Sequence, residues 1–144
     1  MDTRTSYSSL AFAGVTPFLA CALLPLFGIE TLRWLGPLDH VANSYGLAIV
    51  CFLTGVHWAT HLYRQDVLDI NLLIGSNIVF LFAWFAFALG SITVSLSAQA
   101  VALLLLLFID RHLRQIGLIS ADYFRIRLLA TTLAAIAILI ILLS

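Results

Sequence analysis

Lysine is absent from this chain of 144 residues, and charge of either sign is scarce. Charged residues make up 10% of the sequence and hydrophobic residues 62%, whereas soluble domains carry about 25% and about 45–50% respectively. The mean hydropathy is +1.10. These values exclude a soluble globular domain and a disordered chain, and the lack of a basic run excludes a nucleic-acid-binding protein. The composition indicates an integral membrane protein.

Cysteine is also scarce. Cys21 and Cys51 both lie in apolar segments, with no CxxC spacing and no neighbouring set of metal ligands. We therefore expect two packed thiols rather than a disulfide or a redox pair. No HExxH motif or carboxylate-rich set is present either, so the sequence offers no complete catalytic or metal-binding set.

Five apolar stretches follow one another along the chain, each near the ~20 residues that cross ~30 Å of hydrocarbon as a helix. They are continuous rather than alternating, which favours helices over the strands of a membrane barrel. The sequence therefore predicts an all-α integral membrane five-helix bundle, with residues 1–144 forming a single membrane domain. The predicted helices cover about residues 10–29, 41–63, 70–90, 92–109 and 124–143.

The arginines predict the orientation of this bundle. With five spans, six of the seven arginines share a side with the N-terminus, and Arg33 alone lies on the other side. The positive-inside rule then places the N-terminus in the cytoplasm and the C-terminus outside. The expected location is the inner membrane of a bacterial cell, or the mitochondrial inner membrane if the protein is eukaryotic.

The strongest local feature is a pair of histidines in the second span. His57 and His61 are four residues apart, so they project from one face of a helix. The pair could face one metal ion, or one imidazole could lie near a haem or a quinone carbonyl. The structural alternative is that His61 reaches the inner interface while His57 bonds another helix.

A hydrogen-bond partner for His57 can be sought across the hairpin that joins the second and third spans. His57 and Asn77 are each ten residues from Val67, near the centre of the turn, so they lie at similar depth. We expect Asn77 to bond His57. The candidate ligand-binding or partner-binding residues are therefore Tyr45, His57, Trp58, His61 and Asn77.

A second polar cluster lies at the predicted inner boundary of the membrane. Its candidate residues are Asp110, Arg111, His112, Tyr123 and Arg127. Charges at helix ends are generally anchors at headgroup depth, and the mixture of signs also suggests ion pairing. A functional interpretation would have Asp110 or Asp122 relay protons toward His57 or His61. The segment from Asp110 to Tyr123 could also lie flat as a short interfacial helix.

Three segments resemble one small family of membrane proteins. The first is Gly14-Val-Thr-Pro17-Phe18, the second, and most specific, is Phe52-Leu-Thr-Gly55-Val-His57-Trp58, and the third begins at Tyr123-Phe-Arg125. They resemble a family that includes mitochondrial transmembrane protein 69 and bacterial proteins of unknown function. The resemblance implies a five-helix membrane domain and no particular reaction. It also implies that His or Arg can precede Trp58, which argues against an obligatory metal or haem ligand there.

Two classes of function remain. The first is a non-enzymatic accessory or assembly protein, or a module that binds lipid or quinone. The alternative is a small redox protein, with haem, metal or quinone, or a transport protein, using His57 and His61. In either case the lipid bilayer is the expected partner. The small-residue stripe Ala130, Ala134 and Ala137 could pack against another helix of the same chain or against a second copy. A homo-oligomer and a larger membrane complex are therefore both open alternatives at this point.

Overall fold

The computed structural model describes residues 3–144 and contains five long helices. They are α1 (Thr3–Leu23), α2 (Leu38–Arg64), α3 (Leu72–Leu89), α4 (Ile92–Gln115) and α5 (Ala121–Leu143). All five are long and apolar enough to cross a membrane, which confirms the predicted all-α fold with five apolar helices. A short 3₁₀ turn, Leu24–Phe27, extends α1, and two-residue strands β1 (Thr31–Leu32) and β2 (Gly36–Pro37) pair in the loop before α2.

Short polar caps set the bounds of the last three helices. Asn71, Ser91 and Ser120 precede α3, α4 and α5, and each side chain accepts a hydrogen bond from the backbone N–H three residues later. Such caps satisfy donors that the helix leaves unpaired. At the other end of α4, Gly117 adopts a φ of 80°, a left-handed conformation that glycine tolerates and that commonly ends a helix.

Two helices begin or end away from their predicted positions. α1 begins at Thr3 rather than near residue 10, and α4 continues to Gln115 rather than ending near residue 109. Asp110, Arg111 and His112 are therefore part of α4, and the expectation of a flat interfacial helix after Asp110 is wrong. A five-residue turn follows instead.

The helices form a bundle in which α2 and α4 are central. α2 packs against α1, α3 and α4, and α4 packs against α2, α3 and α5. α1 closes the bundle by packing along α5. The alanine stripe of α5, Ala130, Ala134 and Ala137, is buried within this chain, so these residues pack against helices of the same chain.

Large apolar side chains face outward and several polar side chains face inward, as expected for a protein in lipid. Large apolar residues such as Leu10, Phe52 and Phe108 are exposed, whereas Ser76, Ser95 and Gln99 are buried. Hydrocarbon cannot solvate polar groups, so they gather inside the bundle where partners exist. This is the pattern of a multi-pass membrane protein.

One buried polar contact fixes how closely α2 and α4 approach. The Gln99 side chain donates from Nε2 to the Asn43 carbonyl at 2.9 Å, to Asn43 Oδ1 at 2.9 Å and to Ser95 Oγ at 3.1 Å. Its Oε1 lies against Gly46, where a Cβ atom would overlap it, and the same Cβ would lie 3.4 Å from Phe18. Glycine at position 46 therefore allows the close approach.

We predict that Gly46→Ala destabilises the protein by about 1–3 kcal/mol, the usual cost of overpacking. The Cβ would push aside an amide that three hydrogen bonds hold in place. Gly55→Ala, on the same helix, is the control, because a Cβ there meets nothing within 4 Å; it should be neutral or slightly stabilising. Thermal unfolding in detergent would measure both, and equal effects of the two variants would contradict the prediction.

Candidate functional site

The most deeply buried charged group lies where α2, α4 and α5 meet. Asp110 is 5% exposed, and each of its carboxylate oxygens has a partner on another helix. His57 Nε2 on α2 lies 2.8 Å from Oδ1, and Arg127 Nε on α5 donates to Oδ2 at 2.9 Å. We call His57, Asp110 and Arg127 the buried triad. It joins three helices through a single carboxylate.

The pattern of buried residues explains why Asp110 points inward. On α4 the buried face includes Gln99, Leu103, Leu106 and Leu113. Asp110 falls on this face at the spacing of three or four residues that one side of a helix repeats. The side chain therefore enters the bundle because it lies on the packing face of its helix.

Pairing within the triad is what allows these charges to be buried. An unpaired carboxylate or guanidinium would be costly in a medium of low dielectric constant. Here the aspartate and the arginine neutralise each other, and the imidazole donates the remaining hydrogen bond if Nε2 carries the proton. His57 Nδ1 is buried without a partner among residues 3–144, which an unprotonated ring nitrogen tolerates better than an N–H would.

The structure does not bring the predicted histidine pair to one ligand. His57 bonds Asp110, whereas His61 Nδ1 accepts a hydrogen bond from the backbone N–H of Leu72 at 3.3 Å. Within the part of the chain that the structure describes, no group of three or more His, Cys, Asp or Glu residues could hold a metal ion. The two imidazoles serve separate helix contacts.

The predicted bond between His57 and Asn77 is wrong. Asn77 is exposed on the outer face of α3, and its Nδ2 donates to the Leu73 carbonyl of its own helix at 2.7 Å. Its neighbour Ser76 occupies the buried face. Equal distance from a turn fixes the depth of a residue, but the rotation of each helix decides which residues meet.

The other candidate ligand-binding residues, Tyr45 and Trp58, also lie apart from the triad. Tyr45 donates its hydroxyl hydrogen to the Gly14 carbonyl at 2.8 Å, and its ring packs edge-on against Phe18. These contacts join α1 to α2. Trp58 is 42% exposed on the outside of the bundle, so it does not face the triad.

The second predicted cluster divides into four parts. Asp110 and Arg127 enter the buried triad, and Arg111 is exposed. His112 Nε2 lies 2.8 Å from Asp69 in the loop between α2 and α3, and this hydrogen bond lowers the pKa of the Asp69 carboxyl below its ordinary value. Tyr123 packs edge-on against Tyr7 of α1, with ring centroids 5.7 Å apart.

A cavity of about 320 Å³ opens between α1, α2, α4 and α5. It is amphipathic: Tyr7, Tyr123 and Arg127 line the end where α1 and α5 begin, and the remaining lining is apolar apart from Thr131. The apolar residues include Val15, Phe18, Ile49, Leu53, Leu103 and Ala134. Small pockets that bind organic molecules start at about 300 Å³, so the volume suits one ring or one chain. We call this space the lateral cavity.

One residue that lines the lateral cavity has a buried hydroxyl without a hydrogen-bond partner. Thr131 lies one helical turn beyond Arg127, is 3% exposed, and its Oγ1 has no partner within residues 3–144. Its neighbour Thr132 bonds the Leu128 carbonyl at 2.8 Å, as helical threonines commonly do. Sequence reasoning missed Thr131 and the cavity, although the spacing of Tyr123, Arg127 and Thr131 places all three on one face of α5.

Comparison with known families gives one match that covers almost the whole chain. The model of a protein family of unknown function, DUF3429, matches residues 3–143. The chain belongs to this family. No curated protein and no solved structure matches the chain. The family match covers all five helices and therefore includes both the buried triad and the lateral cavity.

We predict that Asp110→Asn destabilises the DUF3429 protein by about 3–5 kcal/mol, because it leaves the largely buried Arg127 guanidinium, 11% exposed, without a counter-charge. Asp122→Asn is the control, since its pair with Arg4 is exposed on both sides and such pairs contribute little. Unfolding in mixed micelles would measure both variants.

The double variant Asp110→Asn, Arg127→Gln tests whether the instability of Asp110→Asn comes from the unpaired Arg127 charge. It removes both charges, so it should recover part of the stability that Asp110→Asn loses. If the double variant were as unstable as the sum of the two single variants, the ion pair would not be the source of the effect.

Proposed function

We propose that this protein is a non-enzymatic membrane module that binds one amphipathic, membrane-soluble molecule in the lateral cavity. The observation that carries the proposal is the polarity gradient along that cavity. Hydroxyl and guanidinium groups lie at one end and aliphatic or aromatic side chains at the other. A molecule with a polar head and an apolar tail matches this gradient in one orientation only.

The positions of the lining residues along α1 and α5 support this orientation. Tyr7 and Tyr123 lie within the first two turns of α1 and α5, at the end of the bundle where most arginines are found. Phe18 and Ala134 lie about 11 residues further along, or roughly 16 Å at 1.5 Å per residue. A ligand would therefore place its head near the membrane surface and its tail toward the middle of the bilayer.

The lateral cavity is also accessible from the side. Phe52 and Val56 on α2 and Leu10 on α1 belong to its lining and are exposed on the outside of the bundle. In a membrane this outside is the acyl-chain region. A lipid-like molecule could thus enter between α1 and α2 without crossing water.

The alternative redox or transport function draws less support from the geometry. It depends on His57 and His61 acting together, but Asp110 and the backbone of Leu72 bind them separately. The buried triad is instead well placed to hold α2, α4 and α5 around the lateral cavity. An accessory role in a larger membrane complex, or in a homo-oligomer, is compatible with such a binding module.

We predict that Ala11→Leu reduces the amount of amphipathic molecule that co-purifies with the protein by about tenfold. Ala11 lines the cavity, and three added carbons would fill part of it. Ala13→Leu is the control, because Ala13 lies on the exposed face of the same helix and does not line the cavity. Mass spectrometry of solvent extracts would quantify bound molecules, and thermal unfolding would verify that both variants fold. Identical extracts from the two variants would refute the proposed function.

We further propose that the protein lies in the inner membrane of a bacterial cell, or of a mitochondrion in a eukaryote, as the resemblance to transmembrane protein 69 suggests. The arginine distribution supports an N-terminus in the cytoplasm, or in the matrix, and a C-terminus on the opposite side.

We predict that reporters fused to the two termini report opposite compartments. A fluorescent protein should be active at the N-terminus, and an alkaline phosphatase that folds only outside the cytoplasm should be active at the C-terminus. Moving Arg33 to the side of the membrane that holds the other six arginines should leave this orientation unchanged. All seven arginines would then favour the same side. The same reporter active at both ends would overturn the topology.

A further inference from the structure

The third helix, α3, lies at the edge of the bundle and has one exposed side. It packs mainly against α2 and α4, and its buried residues are Leu72, Ser76, Val79 and Ala83. The opposite side is exposed, so in a membrane it meets lipid or another transmembrane helix. No residue of α3 lines the lateral cavity, so any role of this side is separate from the proposed function.

The exposed side of α3 carries one amide side chain, Asn77. Asn77 lies five residues after Leu72, where the helix begins, or about 7.5 Å along its axis. The helix has 18 residues and is therefore about 27 Å long, barely enough to cross ~30 Å of hydrocarbon. Asn77 therefore lies within the hydrocarbon region rather than at the membrane surface.

The Asn77 amide is only partly satisfied by its own helix. Its Nδ2 donates one hydrogen to the Leu73 carbonyl at 2.7 Å, but its second N–H and its Oδ1 have no hydrogen-bond partner within residues 3–144. The exposed hydroxyls of Ser97 and Thr132 differ, because each donates its single hydrogen to a carbonyl of its own helix. Asn77 therefore leaves both a donor and an acceptor facing hydrocarbon, which can bond neither.

Asn77 belongs to a line of exposed residues along α3. The line comprises Ile74, Asn77, Leu81, Trp84 and Ala88, and we call it the outer seam. Its alternating steps of three and four residues give a mean period of 3.5, the repeat with which two helices pack along each other. Trp84 adds a second polar group, because its indole N–H has no hydrogen-bond partner in the described chain and lies five residues from the other end of α3.

A second copy of this chain can satisfy Asn77 by symmetry. Copies that insert with the same orientation place their α3 helices parallel, and a twofold axis along the membrane normal brings identical residues to the same depth. An amide carries both N–H donors and a carbonyl acceptor, so two Asn77 side chains can exchange two N–H···O hydrogen bonds. A helix of another protein would need a matching polar group at this depth, whereas a second copy always has one.

We propose that the protein forms a homodimer through the outer seam, with Asn77 of each copy hydrogen-bonded to Asn77 of the other. The Trp84 rings of the two copies meet two turns further along α3, and Ile74, Leu81 and Ala88 pack around these two contacts. Apolar side chains pack against lipid as readily as against a helix. Asn77 is therefore the residue that selects the partner and fixes the register, as one polar residue does in a coiled-coil seam.

The experiment measures dimerisation of the full chain in lipid vesicles, by fluorescence energy transfer between labelled copies as the protein-to-lipid ratio is varied. Asn77→Leu should raise the dissociation constant of the dimer about fivefold to thirtyfold, the effect of interhelical hydrogen bonds in model membrane peptides. Asn77→Gln should retain most of the association. Thr132→Leu is the control, because it removes an exposed polar group from α5 and should leave the dissociation constant unchanged.

Cysteine cross-linking in the same vesicles locates the interface. Leu81→Cys and Ala88→Cys lie on the outer seam and should each form a disulfide between copies. Ile78→Cys and Phe82→Cys are exposed on α3 outside the outer seam and should form far less. The parent chain, which keeps its two native cysteines, measures the background.

Stability of the monomer is a further readout. Within residues 3–144 Asn77 bonds only its own helix, so Asn77→Leu should leave the melting temperature unchanged in detergent at concentrations where the protein is monomeric. A large fall in that temperature would show that Asn77 supports the fold of a single chain, and would overturn the proposal.

Three other results would overturn the homodimer. They are a chain that stays monomeric at every protein-to-lipid ratio, equal dissociation constants for Asn77→Leu and Thr132→Leu, and cross-linking that is strongest outside the outer seam. None of them bears on the lateral cavity, whose test is the amphipathic molecule that co-purifies with the protein.

Discussion

The structure depends on the placement of one carboxylate in a helical bundle with few charged residues. Asp110 is the one Asp or Glu among residues 3–144 that is buried, and it is held between His57 and Arg127. In a soluble protein water could compensate for a poor partner, but hydrocarbon cannot. The three helices that supply these residues must therefore keep their rotation and depth. The buried triad specifies how α2, α4 and α5 face one another, a task that apolar contacts perform poorly when lipid is equally apolar.

The sequence predicts the number of apolar helices because length and hydropathy are properties of each segment alone. It predicts less of the candidate site, because a site depends on helix rotation. Asn77 illustrates this: its depth matches that of His57, but Ser76 occupies the inner face instead. Sequence analysis places Asp110 in a boundary cluster, and its burial could have been predicted by extending the fourth helix one turn, since it continues the face of Gln99, Leu103 and Leu106. The apolar run ends at Ile109, whereas the helix continues through charged residues to Gln115.

The lateral cavity could not be predicted from sequence, because no single helix creates it. It exists because four helices, α1, α2, α4 and α5, surround one space and small residues line part of it. Gly14, Ala11, Ala130 and Ala134 contribute little volume there. Elsewhere small residues serve close packing instead, as Gly46 does under Gln99. The same residue types thus produce a tight contact in one place and a space in another, and only the helix arrangement decides between them.

Arg127 links the buried triad to the lateral cavity, since one edge of its guanidinium bonds Asp110 and its side chain also lines the cavity. A ligand that accepts a hydrogen bond from the free nitrogens would restrict the arginine to the conformation that the triad already requires. Ligand binding and helix packing would then stabilise each other, because any molecule that binds only the folded state stabilises it. Such coupling is reciprocal, so weakening the triad should also weaken binding. For the proposed binding function, the ion pair would fix the direction of the Arg127 donors before the ligand arrives, which would lower the entropy lost on binding.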